Sequence, residues 1–349
     1  MPSTPKKPRV TMAQIAEAAG LSRPSVSYIL NESAAAKSLR PETVARVRLL
    51  AQQMGYSPND AARTIKTGKS RTIAFITPPL RWDSNFGIVY AAAVEAFNMG
   101  YQIRYLPLSP NDNAIKDCIR ICRDFFIPAA VCLNLPKKQL QALSKEAEEN
   151  QIYLAQVGDC FPDITPLSVV ADHVTGCEEV VSYLYELGHR NIAFMLNSKA
   201  YSSSTVRFEA FERKMTELGI PPAEGMVREG QFTPSRITQE TLALIRRKPR
   251  PTAIICDTDP SAITVLTTLQ RHGIRVPEEI SVTGFVDLPV GEFSNPRLTS
   301  VRLPTEQLGR HVVRQLVYWS ENDKLPLPIA PFPVSLVVRD STGPANAAE

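Results

Sequence analysis

The first seventy residues carry apolar positions at the spacing of short helices. In "TMAQIAEAAG", Met12, Ile15, Ala16 and Ala19 fall at i, i+3, i+4 and i+7, which is one helical face. Thr11 with Gln14 three residues on has the spacing of a capping box, so the helix starts there. Gly20, having no Cβ to clash, suits a left-handed end. In "LSRPSVSYILN", Val26, Ile29 and Leu30 form a second apolar stripe, with Ser22 placed to cap it. Pro24 costs little in the first turn, where amides have no intrahelical partner, and Pro24 and Tyr28 face away from the stripe. A third helix begins at Pro41, with Val44, Val47, Ala51 and Met54 on one side. Asn59 can cap a last helix containing Ala62, Arg63 and Ile65, at about eight residues too short to hold by itself.

From Thr72 the period changes. "TIAFI", "YQIRYLPL", "AAVCLN", "IYLAQV", "SVVA", "NIAFML", "TAIICD", "ISVTGF" and "VSLVV" read as short buried strands. Amphipathic stretches at Phe86 to Met99, 137–150, 175–187, 205–218, 260–272 and 304–319 separate them. Such alternation predicts an α/β core of two doubly wound, Rossmann-like lobes, with a ligand cleft beyond the carboxyl ends of the strands.

Composition narrows the class. The chain has 349 residues, 44% apolar and 21% charged, which suits a soluble protein of more than one domain. No apolar run reaches membrane-spanning length. "MPSTPKKPRV" is basic without an apolar centre, so it reads as a flexible arm rather than a secretory signal, and the expected compartment is the cytoplasm. Cys118, Cys122, Cys132, Cys160, Cys177 and Cys256 show no zinc spacing, and Cys118 and Cys122 read as two packed thiols on one helix. No cofactor or metal is implied.

Charge is distributed unevenly. Residues 1–70 hold eleven Lys or Arg against four Asp or Glu, a balance of +7; the whole chain is +4, which leaves −3 for the rest. A basic block joined to a slightly acidic body is the footprint of a nucleic-acid module on a regulatory domain. Two short helices meeting at a glycine could be plain packing. With this charge they read as a helix-turn-helix, whose second helix enters the DNA major groove. Arg23 can form a bidentate pair with guanine, whereas Pro24 can read only shape or a thymine methyl.

"TMAQIAEAAGLSRPSVSYILN", "GYSPNDAAR", "ELGHRNIAF", "GIRVPEEISVTGF" and "LTSVRLPTEQLG" occur in the order and spacing of the LacI family of bacterial transcription regulators, which the chain resembles from about Val10 to Thr342. The resemblance implies a basic arm (1–9), a helix-turn-helix headpiece (10–58) and a hinge helix with linker (59–70). It also implies a first core lobe (71–172 plus 300–323), a second lobe (173–299 plus 324–342) and a tail (343–349). The core would be like periplasmic sugar-binding proteins, and the protein would bind a double-stranded DNA operator as a homodimer. Arg23, Pro24 and Tyr28 match base-reading positions, Tyr28 standing where an arginine is common. Thr11, Ser22, Ser25, Ser27 and Asn31 match phosphate contacts or caps, and Tyr56 and Asn59 match backbone contacts. Arg63 lies in the hinge segment, and Ile65 takes the place of the leucine that wedges into the minor groove.

The implied effector site is less regular. Arg207 matches an arginine that grips sugar hydroxyls, and Phe232 an aromatic that stacks on the sugar. Thr258 stands where the family usually has Asn, and Val286 where it has a ligand-binding Asp. "RWDSNFG" leaves Asp83, Ser84, Asn85 and Phe86 as candidates from the first lobe. Losing a carboxylate anchor points to a less polar or anionic effector than the usual sugar, or to a cleft without a small molecule. Asp257 and Asp259 face the cleft by analogy, but no opposed carboxylate pair of a glycosidase is evident. His189 lies in a helix-end motif and reads as structural. HExxH, GxSxG and P-loop patterns are absent, so no enzyme is expected. The competing reading, a periplasmic-type sugar-binding or sugar-processing protein, sits poorly with the basic headpiece and the lack of an export signal.

Overall fold

The computed structural model describes the chain except residues 1–9, 31–35, 37, 57–59, 79–84, 110, 112, 160, 231–232 and 347–349. It divides into two compact units, Met1–Ser70 and Arg71–Glu349.

The first unit is helical. Helix α1 (Met12–Ala19) starts on a complete capping box: the Thr11 hydroxyl accepts from the Gln14 amide, and the Gln14 side chain accepts from the Thr11 amide. Its end is Gly20 at φ +62°, a left-handed cap whose amide reaches Ala16 and Glu17. Ser22 Oγ then accepts from the Ser25 amide at 3.3 Å and starts α2 (Arg23–Leu30). With α3 (Pro41–Gln53) these helices bury Ile15, Ala16, Ala19, Val26, Ile29, Val47 and Ala51 in one small core. The guanidinium of Arg46 ties α3 to the end of α1 by donating to the Ala19 carbonyl at 3.0 Å. Within the segment expected to be a hinge, α4 (Asp60–Thr67) is helical and ends where the Gly68 amide donates to Thr64 at 2.8 Å.

In the second unit, β1 (Thr72–Thr77), β2 (Gln102–Pro107), β3 (Ala129–Leu133), β4 (Tyr153–Val157) and β5 (Leu167–Val169) form a parallel sheet in the order β2-β1-β3-β4-β5. Helix α5 (Asn85–Asn98) covers one face; α6 (Ala114–Asp124) and α7 (Lys137–Glu149) cover the other. The second sheet has the order β11-β10-β9-β8-β6-β7. It comprises β6 (Ile192–Leu196), β7 (Val227–Glu229), β8 (Ala253–Cys256), β9 (Ser281–Val286), β10 (Thr299–Arg302) and β11 (Ser335–Val337), of which β11 alone runs antiparallel. Helices α8 (His173–Glu186) and α9 (Ser202–Glu217) pack on one face. Helices α10 (Pro234–Ile245) and α11 (Asp259–Arg271) pack on the other. Two buried clusters of Val, Ile, Leu and Phe therefore flank each sheet, as a parallel sheet covered on both faces requires.

The chain crosses between lobes after β5, after β10, and after α12 (Thr305–Asn322), which packs on α5 and the first sheet. The first and third crossings pair with each other, since Asp172 N donates to Phe332 O and Phe332 N to Val170 O. One boundary expected from the resemblance shifts. Residues 300–302 belong to β10 in the second sheet, not to the first lobe, because Ser300, Val301 and Arg302 register with Gly284, Phe285 and Val286. Strands β7 and β10, together with α10, fall outside the predicted alternation.

Gly309 fixes how closely α12 approaches α5. A Cβ there would run into the Ile88 carbonyl oxygen and lie 2.9 Å from Ala92 N. Gly309→Ala is expected to destabilise the core by roughly 1–3 kcal/mol through overpacking. Urea unfolding followed by Trp319 fluorescence checks this; an unchanged midpoint would show that the two helices can separate without cost.

Candidate functional site

In the helical unit, the apolar stripe of α2 turns Val26 and Ile29 inward and leaves the opposite side in solvent. Arg23 and Pro24 are exposed, and Tyr28 is 45% exposed. Ser25 and Ser27 are half-buried at the edges, and Ser22 Oγ lies 2.8 Å from Ser25 Oγ. Thr11 and Ser22 thus serve as caps by geometry. Tyr56 packs its ring against the small core, and burial pushes its phenol above the ordinary range. Arg63 is half-buried, whereas Ile65 on α4 is 79% exposed, an unusual place for a branched apolar chain. Asn31 and Asn59 lie outside the described residues. The unit therefore presents a cation, a rigid ring and an aromatic hydroxyl from one rigid helix.

In the core, buried polar residues gather at the carboxyl ends of the strands. Arg207, on the inner face of α9, is only 5% exposed. Its Nη1 donates to Asp257 O at 2.6 Å and to Asp257 Oδ1 at 2.8 Å, and its plane lies 4.0 Å from the Phe285 ring. Asp257, just past β8, is fully buried; its Oδ2 accepts from Ser204 Oγ at 2.5 Å and from the Asn197 amide at 3.3 Å. Nε and Nη2 of Arg207 both approach His173 Nδ1 at 3.3 Å. Because that nitrogen faces donors, the ring proton belongs on Nε2, which donates to the Gly158 carbonyl at 3.3 Å. Burial, and then the neighbouring guanidinium, pull His173 down to about 3, so it is neutral.

The first lobe reaches into this cluster. Asp159 follows β4, and its Oδ1 accepts from Ser202 Oγ at 3.0 Å and from the Ser203 amide at 2.8 Å, meeting the first turn of α9. Its Oδ2 is buried without a hydrogen-bond partner. Burial raises its carboxyl, against the hydrogen bonds from Ser203 and Ser202 and the attraction of Arg207. Lys137 N donates to Ala200 O at 3.2 Å, a further bridge between the lobes.

Thr258 caps α11, accepts from Asn197 Nδ2 at 3.1 Å and belongs to a closed set with Ser261. Asp259 is turned into the lobe rather than left facing the cleft. Its carboxylate accepts from Ser300 Oγ and the Leu288 amide, both at 2.5 Å, and fills the space that a Cβ on Gly284 would occupy. Burial first, with Asp287 nearby, raises it to about 7. Val286 is 7% exposed with φ +114°, a backbone rarely adopted by a β-branched residue. The next residue, Asp287, pairs with Arg302 at 2.7 Å and Arg339 at 2.6 Å.

The structure thus brings Arg207 and Thr258 into one polar cluster and places Val286 in the adjoining apolar core. Phe86 is not among these buried groups; it is 65% exposed on α5, in line with Tyr90 and Phe97. Asn85 opens that helix, while Asp83, Ser84 and Phe232 lie outside the described residues. His173, Asp159, Asn197 and Phe285 were not singled out by motif. Their common signal is position: three follow or begin elements at the carboxyl ends of parallel strands, and Phe285 is on the strand itself. His189, as expected for a structural residue, bridges Thr252 Oγ1 and the Gly343 carbonyl at 3.0 Å each. The described cysteines are buried thiols, and Cys118 and Cys122 are pushed up to about 11 and about 12 by burial. Among the described residues no group of His, Cys, Asp and Glu is arranged to hold a metal ion, and no helix is long and apolar enough to cross a membrane.

Residues 181–342 match the family described as periplasmic binding protein-like domain. The chain is 25% identical to the HTH-type transcriptional repressor CytR of Escherichia coli K12 over 335 residues, 95% of this chain and 96% of that protein. It is 24% identical to the repressor PurR of Vibrio vulnificus, over 96% of this chain and 99% of that one. The regulator DegA of Bacillus subtilis is 24% identical over 97% and 99%. The relatives are regulators of transcription, not enzymes. The lac repressor dimer bound to operator and the anti-inducer ONPF shares the fold with a TM-score of 0.78 at 24% identity, covering 96% of this chain and 100% of that one. The regulator CelR in complex with cellobiose gives 0.72 at 24% identity, covering 95% and 100%.

The neutral His173 makes core stability depend on pH. Its folded value of about 3 lies below the ordinary 6.5, so between those limits the unfolded chain binds the proton and the folded chain does not. Stability from this group is therefore present above 6.5 and lost as pH falls toward 3. Asp259, raised to about 7 from 3.8, acts oppositely, becoming less unfavourable as pH falls through that window. A comparison with His173→Gln isolates the first effect. The stability advantage of the native chain over the variant should shrink between about pH 7.5 and about pH 5. Urea midpoints for the two proteins that stay a fixed distance apart across this range would contradict it.

Proposed function

We propose that the chain is a repressor of the LacI family that binds a pseudo-palindromic operator as a homodimer and answers to a small molecule held between its core lobes. The observation that carries this reading is α2, a capped helix with Arg23, Pro24 and Tyr28 on its solvent side, within the +7 segment of the chain. A guanidinium can fork onto guanine, a pyrrolidine ring can pack on a thymine methyl, and a phenol can donate or accept at a base edge. The repressors CytR and PurR, and the lac repressor solved on its operator as a dimer, support the same role. Residues 10–58 would form the headpiece and residues 59–70 the hinge, working in the cytoplasm where the DNA is.

The α5 surface supports the homodimer. Phe86, Tyr90 and Phe97 share one face of α5 and are 65%, 65% and 80% exposed, an apolar stripe suited to a second copy. For the ligand, support comes from the polar cluster at the strand ends and from cellobiose bound by CelR in the same fold. A ligand that changes the angle between the lobes would move the hinge segments of the two protomers relative to each other.

Tyr28→Arg adds a second guanine-reading fork, so binding-site selection should return a changed base in each half-site, with discrimination of roughly 1–3 kcal/mol. The same consensus for both proteins would remove Tyr28 from the reading surface.

Ile65 supplies the wedge. Inserted at the central base step from each hinge helix, it would trade the cost of unstacking for a closer fit to bent DNA. Ile65→Gly should sharply weaken operator binding while leaving binding to random duplex, which rests on phosphate contacts, nearly unchanged. Parallel titrations of both duplexes decide it; equal losses would make the segment a simple tether.

A further inference from the structure

The buried polar cluster also indicates what the cleft refuses, an inference that rests on reading the cleft as a ligand site. A guanidinium has five N–H groups and suits a planar anion. In Arg207 two acceptors on Asp257 take Nη1, and Nε and one Nη2 hydrogen converge on His173 Nδ1. One face of the plane is covered by Phe285. At most one N–H remains for a ligand. The other Asp257 oxygen is held by Ser204 and Asn197, so the carboxylate is fixed from both sides. Both partners are buried, with side chains 6% and 0% exposed.

An incoming phosphate or carboxylate would have to displace Asp257 and leave that carboxylate buried and unpaired, which is strongly unfavourable. It would also approach Asp159, a second buried carboxylate within electrostatic reach of Arg207. A ligand that donates hydrogen bonds meets the opposite situation, because Asp159 Oδ2 is a buried acceptor with no partner. We propose that Asp257 is a specificity-determining residue that occupies the Arg207 guanidinium in place of a ligand's anion, so that the cleft takes an uncharged, hydrogen-bond-donating compound and excludes phosphorylated or carboxylated ones. This replaces the anionic metabolite that the loss of an aspartate at Val286 had suggested.

The test uses the full chain and inorganic phosphate as the probe in isothermal titration. Wild type should bind phosphate only weakly, whereas Asp257→Asn, which keeps the side-chain shape and removes the charge, should bind it at least about tenfold more tightly, equivalent to about 1.4 kcal/mol. Asp257→Ser serves as a second variant, and circular dichroism confirms that each is folded. In parallel, wild type is heated with matched sugars and nucleosides and their phosphate esters, where any stabilisation should come only from the unphosphorylated members. Phosphate binding to wild type as tight as to the variants, stabilisation by a phosphate ester, or no gain in either folded variant would overturn the proposal. A gain in the variants with no wild-type ligand in the panel would support the role of Asp257 and count against the effector reading alone.

Discussion

A guanidinium removed from water must have its charge and its N–H groups satisfied within the protein, and the buried polar cluster at the strand ends is arranged around that requirement at Arg207. The Asp257 carboxylate balances the charge, and Phe285 accepts the face of the cation. His173 stays neutral, because burial first, and then the cation 3.3 Å away, disfavours its charged form. That neutrality fixes its tautomer, and the tautomer lets Nε2 donate to Gly158 in the first lobe. Burial and the ion pair together keep the neighbouring imidazole neutral and direct a hydrogen bond between lobes. Such a pair adds little net stability by itself, yet removing one partner costs roughly 3–5 kcal/mol. It is therefore better understood as fixing the geometry and charge of the polar cluster at the strand ends.

The same economy of burial separates the two units. The helical unit closes on seven small or branched residues, a core near the lower limit for independent stability. N-caps at Thr11 and Ser22 contribute about 1 kcal/mol each, which matters in so small a unit. Its outer residues, among them Arg23, Pro24 and Tyr28, stand outside that core. The large unit has no such shortage, since each sheet is buried on both faces. Its design problem is connection: α12 belongs to the first lobe, and the segments either side of it return to the second sheet. Crossing segments at Val170–Asp172 and Phe332 are joined to each other by backbone hydrogen bonds, so two of the three connections between the lobes form one paired strap.

Local chemistry was legible in the chain itself. The capping box, the glycine end, the apolar stripes and the strand–helix alternation each depend on residues within one or two turns of one another. The ordered motifs then carried the resemblance to the LacI family and pointed to Arg23, Pro24, Tyr28, Arg207, Thr258 and Val286. Strands β7 and β10 were not legible, because "VRE" and "TSVR" each hold a single apolar residue among polar and charged ones and so lack the apolar run that marked the other short strands. Tertiary structure alone decided what Arg207 does. Its partners come from α8, the end of β8 and β9, more than thirty residues away in either direction. It also turned Asp259 into the lobe and put Val286 in the core. A sequence records which groups are present and their local spacing; which buried charge meets which depends on where two sheets stop, and that is settled only when both lobes have folded together.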